Sequence, residues 1–210
     1  MTDGRRRIEP RGLILRLPRA LRSQTLNALA PLLVNKLIEP GNIVIDVKTG
    51  ISGGGDSKFG YAESNENSQP YGLLKHVHMP EIAKTIERLS GGSAAGLVFT
   101  PHLVPMTRGV LATIYCGGSA TTGQCLDAAR RLYAGRAFVR VTDKPPQTKW
   151  ATGSNLAFVS YAANPERNLV IAMGVVDNLG KGAAGRAVRN ANLICGLPET
   201  AGLDGAPVWP

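Results

Sequence analysis

Aromatic side chains are scarce, at 5% of the 210 residues, so a core has to be filled by Leu, Val, Ile and Ala. Histidine occurs three times (His76, His78 and His102) and cysteine three times (Cys116, Cys125 and Cys195). The cysteines form no CxxC pair and have no metal-ligand spacing. An odd, sparse set fits a reducing compartment, with the cytoplasm as the default expectation. No apolar run approaches the ~20 residues that span a bilayer, and the start lacks a long apolar stretch followed by a small-residue cleavage site. Neither a membrane role nor secretion is therefore expected. A GxGxxG fingerprint is also absent, so no dinucleotide-binding fold is indicated by motif.

The chain carries a net charge of +9, which raises the question of nucleic acid. The distribution argues against it. Residues 1–22 hold seven arginines against Asp3 and Glu9, a net +5, which leaves +4 for the other 188 residues. The basic excess belongs to a patternless, Arg-rich head, and no nucleic-acid partner is expected.

From Thr25 the text becomes periodic. Thr25 can cap a helix whose apolar positions Leu26, Leu29, Leu32, Leu33 and Leu37 recur at three and four residues, with Pro31 set to kink it. Strands are predicted at 42–47, 96–101, 109–116, 138–141, 155–162 and 169–176. The second and third of these are placed to pair across a Pro-containing turn, and the last two across a hairpin at Pro165-Glu166-Arg167-Asn168. Helices are predicted at 81–89, 125–133 and 182–195, the last with Ala183, Ala187, Val188, Ala191 and Ile194 on one apolar face. Hairpins with interspersed helices define an α+β fold, with helices on one face of a mainly antiparallel sheet.

Three clusters carry candidate chemistry. Residues 63–82 place His76, His78 and several carboxylates and amides in a stretch with little apolar content. A histidine there is suited to moving protons near neutral pH, and the bland alternative is a solvated loop before a capped helix. A His-x-His pair on a strand would also face one way and could bind metal, but no third ligand is evident nearby. Residues 99–109 hold His102 and Arg108 between prolines; Arg108 is either a bidentate anion clamp or a surface residue. Residues 177–185 (DNLGKGAAG) lead a Gly-rich turn into a helix N-terminus, which either receives an anion or is a tight cap.

In order and spacing, KTGISGGG, ESNEN, YGLLKHVHMPEI, FTPHLVPMTRGVL and DNLGKGAAGRAVRNANLICGLPETAGL resemble the C-terminal portion of the N-acetyl-gamma-glutamyl-phosphate reductase family. The resemblance runs from Thr25 to the C-terminus. It implies a catalytic domain like the C-terminal domain of glyceraldehyde-phosphate dehydrogenase, preceded by an Arg-rich segment, 1–24, foreign to the family. It also implies NADPH-dependent reduction of an acyl phosphate to an aldehyde in arginine biosynthesis, through a cysteine thiolate. By motif position His78 matches the acid/base, His76 and Arg108 match substrate-binding positions, and Ser52, Gly53 and Asn178 match positions near the cofactor. The resemblance further implies a small-molecule acyl phosphate as ligand, a homo-oligomer, and a last helix that packs on an NADP-binding domain.

The chain departs from that pattern. The family's cysteine stands in a Gly-Cys-Tyr-Pro-Thr turn, matched here by Leu21-Arg22-Ser23-Gln24-Thr25, with Arg22 at the nucleophile's position. Val77 replaces an arginine between the histidines. A truncated or frame-shifted product, inactive alone, is the leading expectation. The alternatives are a non-catalytic module that docks on an intact reductase, and the sister aminoadipyl-phosphate reductase of lysine biosynthesis.

Overall fold

The computed structural model describes residues 20–54 and 60–208. The Arg-rich head up to residue 19 and the glycine-loop residues 55–59 lie outside them. A seven-stranded mixed sheet organises the chain. Its strands are β1 (Ile43–Thr49), β2 (Gln69–Pro70), β3 (Val98–Leu103), β4 (Val110–Gly117), β5 (Val139–Val141), β6 (Ala157–Asn164) and β7 (Leu169–Val176), in the order β2-β3-β1-β4-β7-β6-β5. Four neighbour pairs are antiparallel; β1–β3 and β5–β6 are parallel. The helices are α1 (Ala20–Val34), α2 (Tyr61–Ser64), α3 (Met79–Ser90), α4 (Thr122–Tyr133) and α5 (Gly185–Ile194).

Strand alternation decides which face is covered. Ile43, Ile45 and Val47 of β1, Phe99 of β3, Val110, Ala112 and Ile114 of β4 and Val170 and Ala172 of β7 are buried against the helices. The intervening Val44, Asp46 and Lys48, Leu111, Thr113 and Tyr115, and Ile171 and Met173 face the other way and stay half-buried or exposed. The α+β expectation, with helices on one face of a mainly antiparallel mixed sheet, matches this architecture.

Strands β3 and β4 do not pair with each other, contrary to the sequence expectation. β1 lies between them, with Val47 opposite Pro101 on one side and Ala112 on the other. The segment between β3 and β4 is therefore a crossover past the end of β1. It is held by Val104 N donating to Thr49 O at 3.1 Å and Gly50 N donating to Gly109 O at 2.9 Å.

The first helix begins at Ala20, five residues before Thr25, and Leu37 falls beyond its end. Pro31 sits inside it without ending it. Proline removes the N–H that would reach the Asn27 carbonyl. The Tyr133 hydroxyl donates to that carbonyl instead, at 2.7 Å, and the Tyr161 hydroxyl donates to Ala28 O at 3.0 Å. Burial pushes both phenols upward, which keeps them protonated donors. Leu26, Leu29, Leu32 and Leu33 are buried, whereas Val34 at the end of the helix is exposed. Helix α4 starts with a capping box: Gln124 N donates to Thr121 Oγ1 at 3.2 Å, and Thr121 N donates to Gln124 Oε1 at 2.8 Å.

The last helix reverses its expected orientation. A π-helical turn, Gly180–Ala184, leads into α5, and the buried positions are Lys181, Gly182, Gly185, Arg186, Arg189 and Asn192. The predicted apolar face is the exposed one, with Val188 42% and Ile194 85% accessible. The buried polar face is matched by the chain that follows. Arg189 pairs with Glu199, and Asn192 Nδ2 donates to Ala201 O at 2.9 Å. Among the described residues, no helix is long and apolar enough to cross a membrane.

Candidate active site

Three loops meet beyond the ends of β1, β3 and β7. The first is the 3₁₀ turn Ile51–Gly54 that follows β1, the second is the crossover 104–109, and the third is the turn after β7. Turn and crossover are zipped by backbone bonds: Ile51 N to Met106 O (2.9 Å) and Ser52 N to Thr107 O (3.1 Å). A Cβ on Gly50 would meet Met106 O at 2.9 Å and Arg108 N at 3.0 Å, so only glycine permits this approach.

Asn178, which is buried, holds all three loops. Its Oδ1 accepts from Gly109 N at 3.1 Å. Its Nδ2 donates to Ser52 Oγ at 3.1 Å and to Gly50 O at 3.4 Å. Ser52 Oγ in turn donates to Thr107 O at 2.6 Å. A side chain at Gly53 would meet Asn178 Nδ2 at 2.9 Å. Ser52, Gly53 and Asn178 are thus brought together.

Arg108 joins them through a residue that sequence reasoning passed over. Asp177 is fully buried and accepts from three backbone N–H groups: Gly153 (2.7 Å), Leu179 (2.7 Å) and Gly180 (2.9 Å). Its Oδ2 also lies 3.5 Å from Arg108 Nη1. The carboxylate caps the turn into the last helix and steers the guanidinium, whose side chain remains 42% accessible. The Asp-Asn pair at the start of the Gly-rich turn was the available signal.

The histidines form a second group, at the entry to α3. His78 is the residue preceding that helix; it is 7% exposed, and its carbonyl accepts from Ile82 N at 2.9 Å. Pro80 and Glu81 occupy the first turn. The His76 ring lies 4.8 Å from that of His78, 5.0 Å from Phe99 and 5.8 Å from Tyr71. The His-x-His pair therefore sits on a turn, not on a strand with both rings on one face. Burial lowers the His76 pKa and raises that of Tyr71. His102 is elsewhere, on the open face of the sheet, with Nδ1 3.0 Å from Asp46 Oδ1. Arg22 lies in the first turn of α1, which packs against α3.

The cysteines offer no nucleophile in either group. Cys116 and Cys125 are buried in the core, and burial pushes their thiols up to about 12 and about 11. Cys195 is exposed at the end of α5. Another feature hidden from the sequence is Lys181, 4% exposed, whose Nζ lies 5.0 Å from the Phe138 ring centroid.

The mixed sheet and its loop cluster define a semialdehyde dehydrogenase type of domain. Residues 23–178 match the family described as semialdehyde dehydrogenase, dimerisation domain, and the chain belongs to that family. Two relatives named N-acetyl-gamma-glutamyl-phosphate reductase are closely similar. One, from Methylobacterium sp. (strain 4-46), is 84% identical over 197 residues, covering 92% of this chain and 61% of the relative. The other, from Bradyrhizobium sp. (strain ORS 278), is 79% identical over 196 residues, covering 92% of this chain and 60% of the relative. The chain thus spans about three-fifths of the length of these relatives. The crystal structure of aspartate semialdehyde dehydrogenase II from Vibrio cholerae shares the fold, with a TM-score of 0.65 at 17% identity, over 85% of this chain and 61% of that one.

Proposed function

We propose that residues 25–210 are the catalytic and dimerisation domain of an N-acetyl-gamma-glutamyl-phosphate reductase, which reduces N-acetylglutamyl phosphate to the semialdehyde with NADPH. The observation that carries this reading is the convergence of Arg108, Ser52, Gly53 and Asn178 on one loop cluster, in a chain 84% identical to a relative of that name. Arg108, half-exposed and anchored from behind by Asp177, is free to bind a carboxylate or phosphate on its outer side. His78 is the acid/base, held rigidly at the head of α3. His76 and Arg108 hold the substrate.

NADPH would supply the hydride. The residues present fit its edge: Gly53 brings bare backbone against Asn178, and Asn178 shapes that backbone from behind. Asn178 spends its amide on Gly109, Ser52 and Gly50, so its part is to set the loop surface.

The 210-residue chain by itself is proposed to be inactive. Covalent catalysis on an acyl phosphate needs an accessible thiolate at the site; Cys116 and Cys125 are buried, protonated thiols, and Cys195, though exposed, stands at the C-terminal end of α5, the opposite end from the Gly-rich turn. The test is a reverse assay of the purified chain with N-acetylglutamate semialdehyde, phosphate and NADP. No NADPH above the blank is expected; steady formation would overturn this part of the reading.

A second reading, an assembly module, is favoured by the exposed apolar face of α5 and by the half-open sheet face bearing Val44, Leu111, Tyr115, Ile171 and Met173. Here the sheet face joins two copies, or this chain and an intact reductase, and α5 meets a nucleotide-binding domain. Co-purification with the Methylobacterium relative would support it, and separate elution would not.

A further inference from the structure

The turn before α3 is wound tightly around one imidazole. Gly72 (φ 61°) and Leu74 (φ 57°) both adopt left-handed backbone, and Lys75 N donates to Gly72 O at 3.1 Å. A Cβ on Gly72 would meet His76 Cδ2 at 3.1 Å, so the ring lies close against bare backbone. Phe99, Tyr71 and His78 surround it on its other sides, within ring-centroid distances of 5.0, 5.8 and 4.8 Å.

One ring nitrogen has a fixed partner. The backbone N–H of His78 donates to His76 Nδ1 at 3.2 Å. A nitrogen that accepts an amide proton carries none of its own, so the neutral ring holds its proton on Nε2. The same contact ties the ring to the backbone of the residue proposed as acid/base. Protonating Nδ1 would set N–H against N–H and break this contact.

We infer that His76 is a fixed hydrogen-bond donor and a positioning residue for His78. Its ring is neutral, Nδ1 is held by the His78 amide, and Nε2–H is presented to an oxygen acceptor of the ligand, a carboxylate or carbonyl. Burial lowers the His76 pKa, which works in the same direction as the contact. The titratable rings that face it are Tyr71, its own phenol pushed up by burial, and His78; Phe99 brings no charge. The identity of the ligand rests on the proposed reductase site, whereas the tautomer does not.

The test is a long-range ¹H–¹⁵N correlation spectrum of the ¹⁵N-labelled 210-residue chain at pH 7.5. Only three histidines exist, so H102N and H76Q assign the signals by elimination, with H78N as the substitute if H76Q does not fold. The expected result is a neutral His76 with a pyridine-like Nδ1 and a protonated Nε2, titrating below the ordinary ~6.5. Adding N-acetyl-L-glutamate should then move the Nε2 signal without changing the tautomer. An Nδ1–H tautomer, or an imidazolium at pH 7.5, would overturn the inference. The expected tautomer with no response to N-acetyl-L-glutamate would overturn the ligand-donor role and count against the reductase site, while the hold on His78 would stand.

Discussion

Asn178 Oδ1 accepts a hydrogen bond from the backbone of Gly109 at 3.1 Å, joining two loops that are 69 residues apart in the chain. The other end of the same amide reaches Ser52 and Gly50, so one side chain fixes the relative position of three loops. Asn178→Ala leaves a buried N–H without its acceptor and is expected to cost about 1–3 kcal/mol. Asn178→Asp puts an acceptor against Gly50 O and should be at least as damaging. Urea denaturation checks both; unchanged midpoints would show that the loops are held by something else.

Asp177 and Arg108 should separate stability from binding. Asp177→Ala strands three backbone donors and is expected to destabilise by about 3 kcal/mol or more. Arg108→Ala breaks only a 3.5 Å contact made by a side chain that is 42% accessible, a class of interaction worth roughly 0–1 kcal/mol. Denaturation midpoints should therefore fall sharply for the first and barely move for the second. Equal losses would mean that the guanidinium is structural and is not available to a ligand.

Lys181 should be a stability cost that alkali relieves. Burial first, then the charges of Arg189 and Arg186, hold its pKa well below the ordinary 10.5. The folded state therefore binds fewer protons than the unfolded state between the folded pKa and 10.5, and in that window stability rises with pH. The contact with Phe138 offsets part of the penalty. Lys181→Met is expected to raise stability at pH 7 by about 1–2 kcal/mol, and by less at pH 9.5. Thermal melts at the two pH values check the sign. A variant whose stability relative to the parent increases from pH 7 to pH 9.5 would contradict it.

Ile194, 85% exposed on α5, should mediate association and contribute little to folding. Ile194→Asp is expected to change stability by less than about 0.5 kcal/mol and to reduce self-association. Sedimentation velocity reads the second effect; association unchanged by the substitution would shift attention to the open sheet face.

Local pattern was legible where local physics decides. β7 falls at the predicted 169–176 because its apolar run begins at a turn, where Asn168 adopts φ 48° and closes the hairpin. The motif residues near each other in sequence, Asp177 to Lys181, were equally visible as a helix entry. Long-range choices were not. Nothing local says that β1 inserts between β3 and β4, and that insertion places the crossover against the Gly50 turn. Helix α5 was read by its apolar stripe, yet its buried stripe is polar, because Glu199 and the Ala201 carbonyl lie against it. The candidate site divides in the same way: the resemblance nominates His78, Arg108 and Asn178, and only the fold brings in Asp177, through contacts with residues 24 and 69 positions away.

The central claim is tested most directly by a hybrid enzyme. Residues 25–210 of this chain would replace the corresponding residues of the Methylobacterium relative, the rest of whose length is kept. The account predicts NADPH-dependent turnover of N-acetylglutamyl phosphate by the hybrid, lost by about 10²–10⁴-fold on His78→Asn. A folded hybrid without activity, or one indifferent to His78→Asn, would contradict it.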